Sequence, residues 1–311
     1  MRVLVVGARG FVGAELTMDL LARGHSVVAA DVRADPGRLA PVADQIEWHV
    51  GDCSSLEFML HVIGKQGVDA IYYGPFYRAP AKVRKDLGVE FNIMGSGALQ
   101  VFNLARSLEI KRIIFPSSTA VHGVQPPGVQ AVDENSYVKP NGVYGATKLL
   151  CERMAEVVNA ELGRNVIACV RLPSVYGPGA DIASRRANVF AVQAARNQPG
   201  EVFYRPQTPI CIAHVADTAS LLAGIMEADT IRHTVYGLGG ITVTFEEIAA
   251  AVRRLIPSAD LRYGTDTVSP LASAVDWSRA REEFGLSHRD LDEGMRSIIE
   301  YELTRKIGAH A

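Results

Sequence analysis

Short apolar segments alternate with amphipathic segments from the first residues of the chain onward. The apolar segments are rich in Val and Ile and apolar on both faces, which is typical of strands buried in a parallel sheet. The candidate strands are RVLVV, HSVVAAD, IEWHVGD, DAIYYG, IKRIIFPSS, VIACVRLP and TVYGLGG. Helical spacing is found in GAELTMDLLARG, LEFMLHVIGKQG, FNIMGSGALQVFNLARSLE and ATKLLCERMAEVVNAELG. This alternation predicts a doubly wound α/β fold, with a parallel sheet of about seven strands between layers of helices.

The alternation changes after RLPSVYGPG. Residues 178–213 are richer in Arg, Gln and Pro, and residues 241–311 have helical patterns with one short candidate strand, DLRYG. The segment HVADTASLLAGIMEA and the last candidate strand separate these two stretches. We therefore predict two domains. Residues 1–177 plus 214–240 form the sheet domain, and 178–213 plus 241–311 form a small, mostly helical C-terminal cap that binds substrate.

Composition and charge narrow the function classes. The chain has 311 residues, 48% hydrophobic and 21% charged, with a formal net charge of −2, so no nucleic-acid or membrane partner is expected. Its four cysteines are scattered without a C-x-x-C pair, which favours buried free thiols over a metal site or disulfides. The opening apolar run, MRVLVV, is soon broken by glycine and arginine. It is too short for a signal peptide or a spanning helix, and we predict a cytoplasmic protein.

A glycine triple lies between the first candidate strand and the first candidate helix. In VVGARGFVGAEL, Gly7, Gly10 and Gly13 permit a tight turn and close approach of the backbone to a pyrophosphate at the helix N-terminus. Because the triple follows a strand and opens a helix, it predicts a Rossmann-type dinucleotide site. Asp31 ends the second strand, where an acidic side chain holds ribose hydroxyls and repels a 2′-phosphate. This favours NAD over NADP, although the nearby Arg33 leaves NADP open.

Tyr144 and Lys148 lie four residues apart in VYGATKLL. Taken alone, this spacing fits the first turn of an ordinary amphipathic helix as well as a base and its partner cation. The order of the motifs favours the second interpretation. Gly7-x-x-Gly10-x-x-Gly13, Asp31, Asn92, Ser118, Tyr144-x-x-x-Lys148 and RLPSVYGPG resemble the extended short-chain dehydrogenase/reductase family, in its NAD-dependent sugar epimerase/dehydratase group. The resemblance is strong to about residue 180 and weaker beyond, through HVADTA and VDWSRAREEFG.

The resemblance implies an NAD-dependent enzyme and a set of site residues. The implied catalytic residues are Ser118, Tyr144 and Lys148. The implied cofactor contacts are Gly7, Gly10, Phe11, Val12, Gly13, Asp31, Asp52, Cys53, Tyr73, Gly74, Asn92, Tyr144, Lys148 and Pro173. The implied substrate contacts are Ser118, Thr119, Tyr144 and Ser174, and no metal is expected. For Asp52, contact with the adenine edge and a helix N-cap are equally open.

A physical argument supports Tyr144 as a base and Lys148 as the cation that lowers its pKa. Tyrosine, with a reference pKa near 10, is a poor base at neutral pH. A lysine ammonium about 4 Å away contributes about 4 kcal/mol at an effective dielectric constant near 20, enough to lower that pKa by up to about three units. By resemblance, Lys148 also holds the nicotinamide ribose, and Asn92 fixes backbone near the cofactor. Ser118 either bonds the substrate oxygen or bonds backbone at the strand end, and Thr119 takes its place if the register slips by one. His122 lines the substrate pocket or is structural.

Departures from the family pattern narrow the substrate. Thr119 and Ala120 stand where sugar-nucleotide dehydratases carry an acidic pair, so dehydration by that route is disfavoured. The related epimerases bind a diphosphate with one Asn and two Arg. The corresponding residues here are Ser174, Ile210 and Asp266, which removes charge-assisted bonds to phosphate. The arginines that offer compensation are Arg185, Arg186, Arg205 and Arg262.

Three functions remain in order of preference. The first is an NAD-dependent oxidoreductase acting on a secondary alcohol of a small sugar, sugar acid or hydroxy compound. The second is an NAD-dependent (nucleotide-)sugar epimerase with a transient keto intermediate, and the third is a non-catalytic NAD-binding redox regulator. By resemblance, two helices pair with their symmetry mates to make a homodimer. The apolar residues of these helices are Ile93, Leu99, Val101, Phe102, Leu104, Leu149, Leu150, Met154, Val157, Val158 and Leu162. The alternative is that they all face the sheet of their own chain.

Overall fold

The computed structural model describes residues 1–64, 67–77, 86–125, 129, 131–182, 186–266 and 273–308 of the chain. The strands within these residues are β1 (Arg2–Val6), β2 (Ser26–Asp31), β3 (Ile46–Val50), β4 (Ala70–Tyr73), β5 (Arg112–Ser118), β6 (Ile167–Leu172), β7 (Ser174–Tyr176), β8 (Gly200–Tyr204), β9 (Pro209–His214), β10 (Val235–Gly237), β11 (Ile241–Thr244) and β12 (Leu261–Asp266). The α-helices are α1 (Phe11–Ala22), α2 (Leu56–Gly64), α3 (Leu87–Phe91), α4 (Gly97–Ser107), α5 (Val143–Leu162), α6 (Val189–Ala195), α7 (Val215–Glu227), α8 (Phe245–Leu255), α9 (Ser278–Phe284) and α10 (Leu291–Gly308).

Seven strands form one parallel sheet in the order β10-β6-β5-β4-β1-β2-β3. Each of these strands lies within one of the seven apolar segments identified in the sequence, so the predicted fold class is confirmed. The strand order reverses at β1, which pairs in parallel with both β2 and β4. In doubly wound sheets, ligands bind beyond the carboxyl ends of the strands at such a reversal. The glycine turn follows β1 at this place.

The sheet is buried because helices supply apolar side chains to it. All seven positions of β5 are buried, as are all four of β4. On one face, Val101 and Phe102 of α4 and Ala155 of α5 pack in the same cluster as Ile113 and Phe115 of β5. This packing fixes α5, and with it the VYGATKLL segment, against the carboxyl half of β5.

The two helices expected to form a dimer interface differ in exposure. On α4, Val101 and Phe102 are buried, which fits the alternative interpretation that they cover their own sheet. On α5, Leu150, Met154 and Val157 are 40%, 37% and 51% exposed. These three residues lie on one face of the helix, which therefore carries apolar surface that its own chain leaves in solvent. The homodimer stays a prediction.

The C-terminal part contains more β structure than the single strand predicted there. Strands β11, β9 and β7 form a three-stranded sheet, and β12 pairs in parallel with β8 to form a two-stranded sheet. Helices α6, α8 and α10 supply Phe190, Ile248 and Ile298 to a separate hydrophobic core. The prediction of a helical cap is thus incomplete, because it missed short strands whose partners lie far away in the sequence.

The chain forms two compact units. The first comprises Met1–Gly123, Val138–Arg171 and Ala219–Tyr236, and the second takes in Val124–Tyr137, Leu172–Thr218 and the chain from Gly237 onward. The prediction that residues 178–213 and 241–311 form a cap that binds substrate stays a prediction. No helix among the described residues combines the length and apolar character that a membrane span needs.

Candidate active site

The glycine turn joins β1 to α1 and is closed by main-chain hydrogen bonds. Gly7 adopts a left-handed conformation, with φ of +77°. Its N–H donates to the carbonyl of Ala30 at 2.8 Å, and its own carbonyl accepts from the N–H of Gly10 at 2.9 Å. A methyl group on Gly13 would lie 2.3 Å from the Gly7 oxygen, so α1 begins too close to the turn for a side chain there. Gly10 leaves α1 without a side-chain cap, so the amides of its first turn are available to an anion.

The Asp31 carboxylate at the end of β2 holds the glycine turn in place. Its Oδ2 accepts from the main-chain N–H of Arg9 at 3.1 Å, and its Oδ1 accepts from that of Arg33 at 3.2 Å. The Arg9 guanidinium is paired with Asp35, with its Nη2 2.7 Å from Oδ1. Each Asp31 oxygen keeps an acceptor site for a further donor, as two ribose hydroxyls require.

Asp52 and Tyr73, both expected cofactor contacts, are bonded within the protein. Asp52 Oδ1 accepts from the N–H of Ser54 at 2.9 Å and from its hydroxyl at 2.7 Å. Tyr73 is fully buried, and its hydroxyl donates to the carbonyl of Ile93 at 2.8 Å and lies 3.7 Å from Cys53 Sγ. Burial raises the pKa of Cys53 to about 11 and that of Tyr73 well above its usual range. The side chains of Tyr73 and Cys53 thus support the fold, which leaves only their main chains for a cofactor.

A π-helical turn, Asn92–Ser96, separates α3 from α4. The helix predicted here is therefore present, with a π-turn that the apolar spacing did not indicate. A π-turn breaks the regular hydrogen-bond ladder, and buried side chains hold two of its carbonyls. The Ile93 carbonyl accepts from Tyr73, and the Met94 carbonyl accepts from the Cys151 thiol at 3.8 Å. Asn92 begins the turn and is exposed. The bonds to the Ile93 and Met94 carbonyls fix the main chain next to Asn92.

Ser118 ends β5 and caps the 3₁₀ turn Thr119–Val121. Its Oγ accepts from the N–H of Ala120 at 3.2 Å, which is the backbone contact weighed as the alternative role. The bond uses an acceptor site of the hydroxyl and leaves its hydrogen for another acceptor. Thr119 is 1% exposed, and its Oγ1 has no hydrogen-bond partner among the described residues.

Tyr144 and Lys148 lie on one face of α5, in its first two turns. The Phe76 ring packs edge-on against Tyr144, with 5.8 Å between the ring centroids. Lys148 is 4% exposed. Its Nζ lies 4.3 Å from the centroid of the Phe115 ring and 5.7 Å from that of Tyr144. Burial lowers the pKa of Lys148 to about 8, a shift that the spacing of the pair did not predict.

Close packing brings the start of α5 against the turn that follows Ser118. A methyl group on Gly145 would lie 2.6 Å from the carbonyl oxygen of Ala120 and 2.9 Å from Pro140 Cβ. Glycine thus allows the first turn of α5 to contact this turn directly. The next residue toward the N-terminus is Tyr144, so the structure brings together the two segments that carry the predicted catalytic hydroxyls.

Sequence reasoning missed a buried charged network beneath these residues. Glu152 is 0% exposed, and Arg171 is 2% exposed. Arg171 donates to both Glu152 oxygens, at 3.0 Å and 2.7 Å, and the Ser117 hydroxyl donates to Oε1 at 2.5 Å. His122 is 1% exposed, with its Nε2 3.5 Å from Arg171 Nη1, which favours the structural interpretation of this histidine. The signal in the sequence was the position of Glu152, four residues after Lys148.

With the fold and this geometry established, the chain can be compared with known proteins. Residues 3–239 match the sequence model of the NAD dependent epimerase/dehydratase family. The chain belongs to this family. It is therefore an enzyme of the NAD-dependent dehydrogenase and epimerase type, and its cofactor is NAD. The resemblance inferred from the motifs is confirmed.

Three relatives of this epimerase/dehydratase family member differ in how far the similarity extends. The mitochondrial L-threonine 3-dehydrogenase of Bos taurus is 24% identical over 96% of this chain and 82% of its own length. The UDP-glucose 4-epimerase of Lactobacillus helveticus is 24% identical over 50% of this chain and 46% of its own length. The structure of Thermus thermophilus UDP-glucose 4-epimerase in complex with NAD superposes with a TM-score of 0.83. It is 21% identical, and the match covers 97% of this chain and 99% of its own. This similarity shows that the two proteins share a fold.

The first unit fits NAD. The amides at the start of α1 face no side-chain cap, the Gly13 position has no room for a side chain, and Asp31 keeps acceptor sites for ribose hydroxyls. We propose that these residues hold the pyrophosphate and the adenosine ribose, and that Lys148 contacts the nicotinamide ribose. The remaining contacts, at Phe11, Val12, Gly74, Asn92 and Pro173, stay predictions.

The positions that correspond to the diphosphate contacts of the related epimerases lie in the second unit. Ser174 begins β7, where its register partner in β9 is Ile212. Ile210 is 6% exposed within the hydrophobic core of this unit. Asp266 ends β12, and Arg185 lies outside the described residues. The apolar environment of Ile210 offers no polar partner to a phosphate.

Proposed function

We propose that this chain is an NAD-dependent oxidoreductase that oxidises a secondary alcohol of a small hydroxy compound. The observation that carries the proposal is the pair on α5, a half-buried Tyr144 and a buried Lys148, packed against the turn that follows Ser118. Burial makes the charged form of a lysine costly, and a buried lysine with a perturbed pKa is a candidate functional residue. Lys148 lies beside a phenol at the carboxyl edge of a dinucleotide-binding sheet, where an ammonium can act on a catalytic tyrosine.

Oxidation of a secondary alcohol requires the loss of a hydride from carbon and of a proton from oxygen. Tyr144, as phenolate, takes the hydroxyl proton and becomes a phenol. The Lys148 ammonium favours the phenolate electrostatically. Ser118 donates its hydroxyl hydrogen to the substrate oxygen and so holds the reacting carbon in place. NAD, when bound, supplies the hydride acceptor, and the product is a ketone.

The chain's own residues support a small substrate without a diphosphate. Thr119 and Ala120 offer no carboxylate for dehydration, and the apolar Ile210 replaces a phosphate-binding arginine. Of the four arginines that offered compensation, the three that the structure describes bond within the protein. Arg186 donates to the Tyr204 hydroxyl at 2.6 Å, Arg205 donates to the Thr265 carbonyl at 3.1 Å, and Arg262 is paired with a neighbouring aspartate. The similarity to the bovine threonine dehydrogenase, which extends over 96% of this chain, makes L-threonine the first compound to test.

A nucleotide-sugar epimerase is the second candidate. The specific observation in its favour is the whole-chain likeness to an epimerase structure, since the same Tyr–Lys pair serves oxidation and re-reduction at one carbon. A non-catalytic redox regulator has no need of the Tyr–Lys pair, and both residues are present here.

The test is a substrate screen with purified protein and NAD, following the absorbance of reduced nicotinamide. The panel holds L-threonine, other hydroxy acids, sugar acids, free sugars, UDP-glucose and dTDP-glucose, with Tyr144→Phe as the control. Net NADH formation on a small hydroxy compound, lost in the control, is the expected result. Inversion of UDP-glucose at one carbon without net NADH, seen by NMR, would establish the epimerase instead.

Calorimetry with UDP on the NAD-loaded protein gives an independent answer. Each lost charge-assisted bond to a phosphate costs about 1.5–3 kcal/mol, so two losses weaken binding by roughly 10²- to 10⁴-fold. We expect UDP to bind no tighter than about millimolar. Micromolar affinity would overturn the small-substrate assignment.

We further propose that the enzyme is a homodimer that pairs through α5. The exposed Leu150, Met154 and Val157 form an apolar face on a long helix, and an isologous contact would remove this face from water in both copies. The burial of Val101 and Phe102 on α4 reduces the apolar area that the second helix contributes.

A further inference from the structure

A buried ion pair links the elements that carry the candidate catalytic residues. Glu152 lies on α5, Arg171 near the end of β6, and Ser117 in β5 directly before Ser118. The Glu152 carboxylate binds the other two side chains, at 2.7 Å to Arg171 Nη2 and 2.5 Å to Ser117 Oγ. One carboxylate therefore fastens α5 to both strands at their carboxyl ends.

The position of Glu152 on α5 relates it to the proposed chemistry. Tyr144, Lys148 and Glu152 follow one another at intervals of four residues, so they occupy successive turns of one helix face. A shift of Glu152 along or around α5 would carry the other two with it. Ser117 and Ser118 are consecutive in an extended strand and point to opposite sides, so a bond to one side chain fixes the orientation of the other.

The charges around Lys148 give Glu152 a second effect. The titratable groups that face Lys148 are Cys151, Glu152 and Tyr144 from its own helix and Cys169 from β6, and Phe115 from β5 contributes an uncharged ring. Burial raises the pKa of Cys151 to about 11 and that of the Cys169 thiol well above its usual range. Both thiols are thus neutral near pH 7, and the carboxylate among these groups is Glu152.

The energetics show why a structural role alone is a weak explanation. A buried ion pair is seldom more stabilising than apolar residues of the same volume, because both ions lose their hydration. The surroundings here are apolar, with Ala155, Cys169 and Phe115 buried in the same region. The chain therefore tolerates a costly pair beneath the Tyr–Lys face where a hydrophobic contact would serve for packing.

We propose that Glu152 is a positioning residue of the active site. Through Ser117 and Arg171 it holds the α5 face with Tyr144 and Lys148 against the strand end with Ser118, and its negative charge keeps Lys148 protonated. This proposal rests on the proposed roles of Tyr144 and Lys148. It assigns to the active site a residue, Glu152, that touches neither substrate nor cofactor and acts through its neighbours.

The test follows NADH affinity against pH by fluorescence, between about pH 6 and about pH 10, and needs no substrate. Because the Lys148 ammonium donates to the ribose, affinity in the wild type should fall as pH rises through the pKa of Lys148, which is about 8. Glu152→Gln removes the anion and should move this fall about one unit lower. At pH 8 the charged fraction of Lys148 then drops from about one half to about one tenth, and NADH binds about five-fold more weakly.

Glu156→Gln is the matched control. Glu156 lies one turn further along α5, is 39% exposed at its side chain and pairs with Arg153, so the same change there should leave the midpoint in place. Lys148→Met should remove the pH dependence and so identifies the titrating group. An unchanged midpoint in Glu152→Gln, or an equal shift in Glu156→Gln, overturns the proposal.

Glu152→Asp separates the positioning effect of Glu152 from its electrostatic effect on Lys148. It also provides the test if the glutamine variant does not fold. The aspartate keeps the charge, but its shorter side chain cannot reach both Arg171 and Ser117. We expect a near-normal midpoint with NADH affinity lowered about ten-fold at pH 7, and wild-type affinity overturns the positioning role. A failed substrate screen leaves these binding results standing, whereas a pH-independent wild type refutes the role of Lys148 itself.

Discussion

Replacing Gly13 by alanine tests the cofactor site at its most crowded point. The new methyl group would lie 2.3 Å from the Gly7 carbonyl oxygen and 3.1 Å from its carbonyl carbon. Both are main-chain atoms, so no rotamer change relieves the contact and the turn itself must move. The Gly7 oxygen also accepts the N–H of Gly10 at 2.9 Å, and a displacement of about 1 Å would take that bond out of range.

The magnitude follows from these contacts. Overpacking of this kind costs about 1–3 kcal/mol of folding stability, offset by about 0.5–1 kcal/mol because alanine favours a helix more than glycine does. For NADH, the displaced turn loses at least one amide bond to the pyrophosphate, worth about 1.5–3 kcal/mol. We therefore expect NADH affinity to fall by roughly 10- to 150-fold, with only a modest loss of thermal stability.

Fluorescence titration with NADH and thermal unfolding measure the two effects on the same sample. The matched control is Gly224→Ala within α7, where nothing lies within 4 Å of the added methyl group. That variant should bind NADH normally and be more stable by about 0.5–1 kcal/mol. If Gly13→Ala binds NADH within a factor of about two of the wild type, the turn does not carry the pyrophosphate and the proposed cofactor geometry is wrong.

Three further predictions follow from the site and the surface. Tyr144→Phe should retain NADH affinity but lower turnover by about 10²- to 10⁴-fold, while Lys148→Met lowers both; near-normal turnover in the phenylalanine variant would remove Tyr144 from the chemistry. Titration should show tighter binding of NADH than of NADPH, since the Asp31 carboxylate repels a 2′-phosphate, and Asp31→Ala should narrow the difference; equal wild-type affinities would refute this role. Light scattering should show a dimer that Met154→Glu and Val157→Lys convert to monomer, and a monomeric wild type at micromolar concentration would contradict the α5 interface.

The sheet domain was predictable because its strands are buried on both faces. VLVV in β1 and IIF in β5 are apolar at successive positions, and such runs have few alternatives to a central strand. The glycine turn was predictable for a similar reason, since its spacing reflects contacts within one βαβ unit. Both signals are local in sequence, and the structure adds mainly the bounds of each element.

The small sheets of the second unit were missed because their stability depends on distant partners. β8, GEVFY, alternates buried and exposed residues, which is a strand signal, but a five-residue run is ambiguous without a neighbour. Its partner, β12, lies about sixty residues later and was recognised only as an isolated strand.

The π-turn at Asn92 was not predicted for another reason. One extra residue in a helical ladder hardly alters an apolar pattern, and the side chains that bond the carbonyls of this turn, Tyr73 and Cys151, lie in different elements.

The active site shows where prediction from spacing ends. Four-residue intervals place Tyr144, Lys148 and Glu152 on one face of a helix, and this much is visible in the sequence. Which way that face points is decided by Gly145, which lets α5 contact the turn after β5, and by Arg171, whose register in β6 brings it to Glu152. Burial then gives Lys148 a pKa of about 8, so its charge near pH 7 depends on its surroundings. A pair recognised by spacing alone would be assigned a permanently charged lysine, whereas burial brings the titration of Lys148 close to neutral pH, where we propose that Glu152 favours the charged form.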